Sequence, residues 1–493
     1  MVTTWEAPAW ARDSVFYQIF PERFYNGDPT NDPPGTVPWD SAPTRENFFG
    51  GDLRGIRGKL DYLERLGITA LYLTPFFKAH TNHRYDTADY LQIDLAAGTL
   101  DDFRALVDDL HRRGMRLLLD AVFNHCGDGF WAFQDVLRQG PASPYADWFV
   151  VDSWPVLKEP PSYQTCGGAA FLPKLNHANP DVRQYLLEVA RYWLAQGADG
   201  WRLDVPWKVP LDFWRAFRQQ VLSTKPDAYI VAEVWRGTAP WLGGDTVHGV
   251  MNYRLRNAVL DFCALDHMDA EDFDYELAYL RDEHGASAPY HLTLLGSHDT
   301  PRLLTVCGGD AARARLAVIF QLTYIGIPMI YYGDEAGMWG ADDPSDRKPM
   351  IWKDLEPYEN PQDNYFMHDV FAHFQRCAAI RNTLPALHVG EFETLLADDA
   401  KQVFAFRRWT DRQTVITMTN KSDREQEVVL ELPSKSPARY VDVLNSPDVK
   451  VVPATKLDKS DVTRIDVSRA KPEFKAVNNR LIVKMPPTST RIL

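Results

Sequence analysis

Little in this chain of 493 residues supports a disulfide framework, a membrane span or a nucleic-acid surface. Its five cysteines, Cys126, Cys166, Cys263, Cys307 and Cys377, are an odd number at irregular spacing, which points to reduced thiols rather than cross-links. Cys126 and Cys166 flank one segment, and a bridge between those two stays open. No apolar run approaches the roughly 20 residues of a membrane-crossing helix. The N-terminus, MVTTWEAPAWARDS, lacks the basic start and apolar core of a secretion signal, so the cytoplasm is the expected compartment. Positive charge is also in short supply. The 53 Lys and Arg against 67 Asp and Glu leave a formal charge of -14, the opposite of what a phosphate backbone requires. Repeats and low-complexity tracts are missing, which excludes a solenoid.

Aromatic side chains and alternating elements are what the chain has in quantity. Its 15 Trp, 21 Tyr and 25 Phe supply more ring faces than one site uses, so most belong to cores. Apolar strands alternate with amphipathic helices, the rhythm of a parallel sheet with helical crossovers. Thr99 with Asp102 marks a helix start, Phe103, Val107 and Leu110 form its apolar stripe, and Gly114 stops it before a strand at 117–122. The next crossover repeats the pattern. Asn179 caps, Pro180 takes the first helical position, Val182, Leu186, Val189 and Trp193 line one face, and Gly197 ends it before 200–205. Eight such units, the first strand at 15–20, close a (β/α)8 TIM barrel whose chemistry gathers at the carboxyl ends of the strands. Between Cys126 and Asn176 the rhythm fails in a stretch rich in Pro, Gly and aromatics. Past about His388 it changes to period-two strands such as Val428, Leu430 and Leu432. The expected division is a barrel over 1–125 and 177–388, an insertion over 126–176 after the third strand, and a C-terminal antiparallel β-sandwich over 389–493.

Five ordered segments carry candidate chemistry: DAVFNH at 120–125, LPKLN at 172–176, GWRLDV at 200–205, VAEVW at 231–235 and LLGSHDT at 294–300. Three of them each bring one carboxylate, Asp204, Glu233 and Asp299. Breaking a glycosidic bond with retention needs one carboxylate to attack, one carboxylic acid to protonate the leaving oxygen, and surroundings that tolerate a sugar cation. On a strand, Arg202 and Asp204 project to one face and Leu203 and Val205 to the other. The guanidinium beside Asp204 favours its ionised form. Glu233 follows Tyr229, Ile230 and Val231 and precedes Trp235, an apolar setting that favours the protonated carboxyl a general acid needs. Any one segment alone reads more readily as a carboxylate closing a strand; their conjunction points to chemistry.

These segments, together with YQIFPERF at 17–24, GITALYLTP at 67–75 and GIPMIYYGDE at 326–335, resemble the α-amylase superfamily of glycoside hydrolases along nearly the whole chain. The resemblance implies that Asp204 is the nucleophile, Glu233 the acid/base, and Asp299 the carboxylate that binds sugar hydroxyls and stabilises the transition state. It also implies that His125 and His298 hydrogen-bond the sugar, that the Tyr85 ring stacks under it, and that Arg202 completes this sugar-binding set. The insertion resembles the family's domain B, which walls the cleft. LPKLN, VMNYRLR at 250–256 and DPSDRKPMIW at 343–352 are most similar to the neopullulanase, cyclomaltodextrinase and maltogenic amylase group. That group hydrolyses α-1,4-glucans, cyclodextrins and pullulan. Two departures stand out. The group usually carries an extra N-terminal β-domain on which its dimers rely, whereas the first strand here starts close to Met1, so a monomer or a different dimer is expected. Pro206-Trp207-Lys208 also follows the nucleophile where the group has small and acidic residues on the acceptor side.

NGDPTND at 26–32 sets Asn26, Asp28, Asn31 and Asp32 in one turn-rich loop, an oxygen-rich set suited to a hard cation, although composition alone reads as an ordinary turn. The group binds calcium through this loop and the FGGDL-like turn, here Gly50 and Asp52. The resemblance therefore implies a structural Ca2+ at these six residues, remote from catalysis. A second family site through Asn124 is not expected. The leading functional reading is a retaining α-glucan hydrolase; a transferase would share its intermediate and pass the sugar to another sugar. A non-catalytic relative would have lost its acids, and a plain sugar-binding module would not gather so many ionisable groups at one barrel mouth.

Overall fold

The computed structural model describes residues 7–355, 358, 365–434, 436–454 and 462–493. Eight strands form one parallel sheet: β1 (Phe16–Ile19), β2 (Ala70–Leu73), β3 (Arg116–Ala121), β4 (Gly200–Leu203), β5 (Tyr229–Ala232), β6 (Gly249–Val250), β7 (Leu292–Leu294) and β8 (Ile327–Tyr331). Their order is β6-β5-β4-β3-β2-β1-β8-β7, and a parallel bridge between Met251 and Leu292 joins the two ends. The sheet therefore closes into the expected TIM barrel.

Period two explains why the strands are apolar throughout. Phe16, Tyr72, Leu118, Val231, Leu294 and Met329 form one buried cluster, which fills the barrel, while Tyr17, Leu71, Leu119, Ile230 and Ile330 belong to a second, under the helices. The crossover helices begin where the capping residues lie. Thr99 and Asp102 form a reciprocal capping box at Leu100–Arg112, and Asn179 accepts from the N–H groups of Asp181 and Val182 at the start of Pro180–Ala195. Gly197 turns with φ of 110°, and a Cβ there would meet Val107 Cγ1 at 2.6 Å, so the turn that ends this crossover requires glycine twice over.

After β3 the chain makes an excursion between His125 and Asn176. Its ends are tied together by bridges between His125 and Lys174 and between Phe149 and Leu175, around a helix at Trp131–Gln139 and the buried rings of Phe130, Phe133, Phe149 and Tyr163. Past the barrel come β9 (Glu391–Asp398), β10 (Val403–Trp409), β11 (Thr414–Asn420), β12 (Gln426–Glu431), β13 (Arg480–Met485) and β14 (Ser489–Ile492). They pair antiparallel as β9-β10-β11-β14 and β12-β13. Val403, Ala405, Ile416, Val428, Leu430 and Val483 fill the space between the sheets. The opposite face of β10 sets Phe404 against Phe262 and Phe273 of the barrel helices. The five cysteines are all free thiols, Cys126 and Cys166 included. Among the described residues no helix is long and apolar enough to cross a membrane.

Candidate active site

At the carboxyl ends of the strands one buried guanidinium organises three carboxylates. Arg202, in β4, is fully buried; its Nη1 donates to Asp120 Oδ1 and Oδ2 at 2.9 and 3.0 Å and to Asp204 Oδ1 at 2.9 Å. Its Nη2 lies 2.9 Å from Glu233 Oε2, an ion-pair contact rather than an aligned hydrogen bond. Asp120 ends β3 and also accepts from Tyr72 OH at 2.6 Å and Tyr85 OH at 2.9 Å. Having no accessible surface, Arg202 lies beneath the floor of the site. Its contacts are with carboxylates, so it supports the sugar-binding set expected around it from below.

The strand alternation expected for 202–205 also ends early. β4 stops at Leu203, and Val205 takes a left-handed backbone with φ of 33°. This turns its N–H toward Glu233 Oε2, at 3.0 Å. With Trp235 Nε1 donating to Glu233 Oε1 at 2.7 Å, Glu233 sits among donors, not in the apolar setting that its flanking residues suggest. The reason is tertiary: the apolar neighbours in sequence point into the core, and the carboxyl faces β4. Trp235 is pinned by stacking on Tyr253, with ring centroids 3.7 Å apart.

Burial pushes the Asp204 carboxyl well above the usual carboxylate range, and the charges of Asp120, Glu233 and Asp299 push the same way against the pull of Arg202. Arg202 alone therefore does not settle the charge of Asp204, because one cation is divided among several anions. Asp120 is raised too, by burial, against Arg202 and its two tyrosine donors.

Asp299 follows β7 and is held at the cavity surface by Arg347 Nη2 at 3.3 Å and His298 Nε2 at 3.2 Å. His298 Nδ1 lies 2.7 Å from the amide of Gln18, which places the ring proton on Nε2, directed at Tyr85 OH 2.6 Å away. Burial lowers His298 and brings His125 down to about 4, so both rings are neutral near pH 7. His125 Nε2 is buried and has no hydrogen-bond partner among the described residues, although the ring lines the cavity. Asp204, Glu233, Asp299, Tyr85, His125 and His298 all open on one cavity of about 790 Å3, within the roughly 300–1,000 Å3 of small-molecule sites. Asp120, Tyr72, Gln18 and Arg347 are the residues that sequence reasoning did not single out. Each lies in or beside a segment already noted for its pattern, but no spacing rule indicates that these four converge.

The 26–32 loop follows β1 and is bonded to the turn that precedes the helix Leu53–Gly58. Asp52 accepts from Gly27 N, Asp28 N and Asn31 Nδ2 at 3.2, 2.9 and 3.2 Å and caps the helix Leu53–Gly58. Asp28 binds Thr30 and Arg54, and Asn26 Nδ2 donates to Asp32 Oδ1 at 2.8 Å. Gly50, with φ of 81°, brings its backbone so close that a Cβ would lie 2.2 Å from Asp32 Oδ1. All six expected residues thus meet. No cluster of three or more His, Cys, Asp or Glu is arranged for a metal among the described residues. The oxygens left over are amide oxygens: Asn26 Oδ1 and Asn31 Oδ1 are buried and without a partner among the described residues, a state that costs about 1–3 kcal/mol each unless something coordinates them.

Comparison with known proteins agrees with this geometry. The family described as "Alpha amylase, catalytic domain" matches residues 18–389. Neopullulanase 2 of Thermoactinomyces vulgaris is 47% identical over 447 residues, covering 90% of this chain and 75% of the relative. A cyclomaltodextrinase of a Bacillus species is 48% identical over 424 residues, covering 85% and 74%. The structure of cyclic alpha-maltosyl-(1-->6)-maltose hydrolase from Arthrobacter globiformis superposes with a TM-score of 0.85 at 40% identity, covering 99% of both chains. The chain belongs to the alpha-amylase family of glycoside hydrolases.

Proposed function

We propose that this chain is a retaining α-glucan hydrolase that cleaves α-1,4-glucosidic bonds of maltodextrins, cyclodextrins or pullulan through a covalent glycosyl-enzyme intermediate. The observation that carries the reading is the meeting of Asp204, Glu233 and Asp299 in one cavity, with Asp204 and Glu233 on the two terminal nitrogens of Arg202. Sharing one guanidinium favours the close spacing of a retaining pair, about 5–5.5 Å, over the wider gap that an inverting pair leaves for water. The names of the relatives, neopullulanase and cyclomaltodextrinase, support the substrate class.

In this mechanism Asp204 attacks the anomeric carbon while Glu233 gives its proton to the leaving oxygen. Glu233 then takes a proton from water, which releases the sugar from Asp204 with the original configuration. Asp299, steered by Arg347 and His298, binds sugar hydroxyls and faces the cation-like transition state. The rings of His125 and His298 stay neutral and so add no positive charge that would oppose that cation. Product analysis of maltoheptaose, β-cyclodextrin and pullulan, with NMR of the first anomer released, tests the reading. Inverted product or no cleavage would overturn it, and dominant oligosaccharide synthesis at high maltose would favour transfer.

The barrel division at 125, 176 and 388 belongs to the same proposal, as does a cytoplasmic location, which the five free thiols fit. The Asn26–Asp32 loop fits a structural Ca2+. Asn26, Asn31 and Asp32 would hold it through side-chain oxygens beside Gly50, with Asp28 and Asp52 ordering the loop, and the ion would supply charge neutralisation and rigidity. EDTA is expected to lower the thermal midpoint by several degrees, and added calcium to restore it. An unchanged midpoint in both would remove the ion from the proposal.

A further inference from the structure

Gln18 sits near the carboxyl end of β1 on the same face as Phe16 of the barrel interior, and it has no accessible surface. No sugar can touch it. Its amide is nevertheless committed to the site: Nε2 lies 2.7 Å from His298 Nδ1, while Oε1 is buried without a partner among the described residues. A buried oxygen left in that state costs about 1–3 kcal/mol, so the contact with His298 calls for a reason. Which end of the amide faces the ring is decided on the far side of the imidazole. Asp299 Oδ2, 3.2 Å from His298 Nε2, can only accept when ionised, and Tyr85 OH, 2.6 Å from the same nitrogen, directs its own proton at Asp120 Oδ2, 2.9 Å away. Both need a donor at Nε2. Nδ1 is then the bare nitrogen, and the NH2 end of Gln18 satisfies it.

Resting on the hydrolase reading above, we infer that Gln18 is a positioning residue for the reaction: by donating to Nδ1 it fixes the tautomer of His298, and through Nε2–H, Tyr85 and Asp120 it sets the direction of a hydrogen-bond chain that ends at Arg202. The chain runs from β1 through the segments after β7 and β2 to the ends of β3 and β4. With the ring proton on Nδ1 instead, Nε2 would present a lone pair to Asp299 and draw the Tyr85 proton away from Asp120. Asp120 would keep Tyr72 as its phenol donor and lean harder on the Arg202 nitrogen that it shares with Asp204. A side chain without sugar contact thus governs both the carboxylate that binds hydroxyls and the cation beneath the attacking one.

Nitrogen NMR of protein labelled at histidine reads the tautomer directly, with His298 assigned by its absence from the spectrum of His298→Asn. In the wild-type protein Nε2 is expected to carry the proton and Nδ1 to give the signal of a bare nitrogen. Gln18→Met keeps the length of the side chain and removes the donor; it is expected to mix the two tautomers and to lower kcat/KM on maltotriose about tenfold with the far-UV spectrum retained. In a His298→Asn background the same substitution is expected to change kcat/KM by less than about twofold, because the ring through which Gln18 acts is gone. A proton on Nδ1 of the wild-type ring would overturn the inference whether or not the variants fold. A pure Nε2–H ring in Gln18→Met would overturn it too, as would an equal loss in both backgrounds, which is what packing alone produces. A wild-type protein that cleaved no glucan while its ring kept the Nε2 proton would sink the hydrolase reading instead and leave the tautomer assignment standing.

Discussion

A guanidinium shared by Asp120, Asp204 and Glu233 makes each of these carboxylates depend on the other two. In the proposed mechanism Asp204→Asn removes the attacking carboxylate while keeping the side chain's shape beside Arg202. Turnover of maltotriose is expected to fall by roughly a thousandfold or more with the far-UV spectrum and thermal midpoint retained. Glu233→Gln should depress cleavage of maltotriose strongly and spare substrates with an acidic phenol as leaving group, since such a group departs without a proton; equal losses on both would contradict its assigned role. The positions of Asp204, Glu233 and Asp299 were readable because each closes an apolar strand inside a recognisable segment. Their surroundings were not. The polar cradle of Glu233 comes from Val205, Trp235 and Arg202, and the turn at Val205 depends on a backbone angle that no side-chain pattern encodes.

The elements followed sequence closely wherever a local rule was complete. Thr99 with Asp102 and Asn179 with Pro180 specify both helix starts, because capping is settled within four residues. The segment after β8 shows the opposite case, and the part of its 334–365 loop at 356–357 and 359–364 lies outside the described residues. Here Glu335 is fully buried and accepts from Tyr17 OH at 2.7 Å and Tyr62 OH at 2.6 Å. Burial raises its carboxyl from 4.5 to about 7. The folded state therefore keeps a proton that the unfolded chain releases, so this group's contribution to stability is full below pH 4.5 and is lost as pH rises to about 7. The loss is on the order of 3 kcal/mol. Glu335→Gln should flatten the fall in unfolding free energy between pH 5 and 7, measured by urea titration, whatever its stability at one pH. A slope equal to that of wild type would refute the assignment.

For the whole molecule, β10 is the hinge pin of the assembly, with Val403 and Ala405 in the sandwich core and Phe404 against the barrel helices. Phe404→Ala is expected to cost about 3–5 kcal/mol and to expose both units together in a single unfolding transition; two separated transitions would show that the domains are energetically independent. The change of period near residue 388 made this domain legible, but not which face of which strand joins the barrel, because both faces of β10 are apolar. The tie between His125 and Lys174 has a consequence of its own. An imidazole whose buried Nε2 has no partner among the described residues is also the root of the excursion, so under the proposed function a sugar bound to it would pull on the lobe that overhangs it. Amide exchange at Lys174 and Leu175 should slow when a maltose-sized inhibitor occupies the cavity, and the protection should vanish in His125→Ala even at saturating inhibitor.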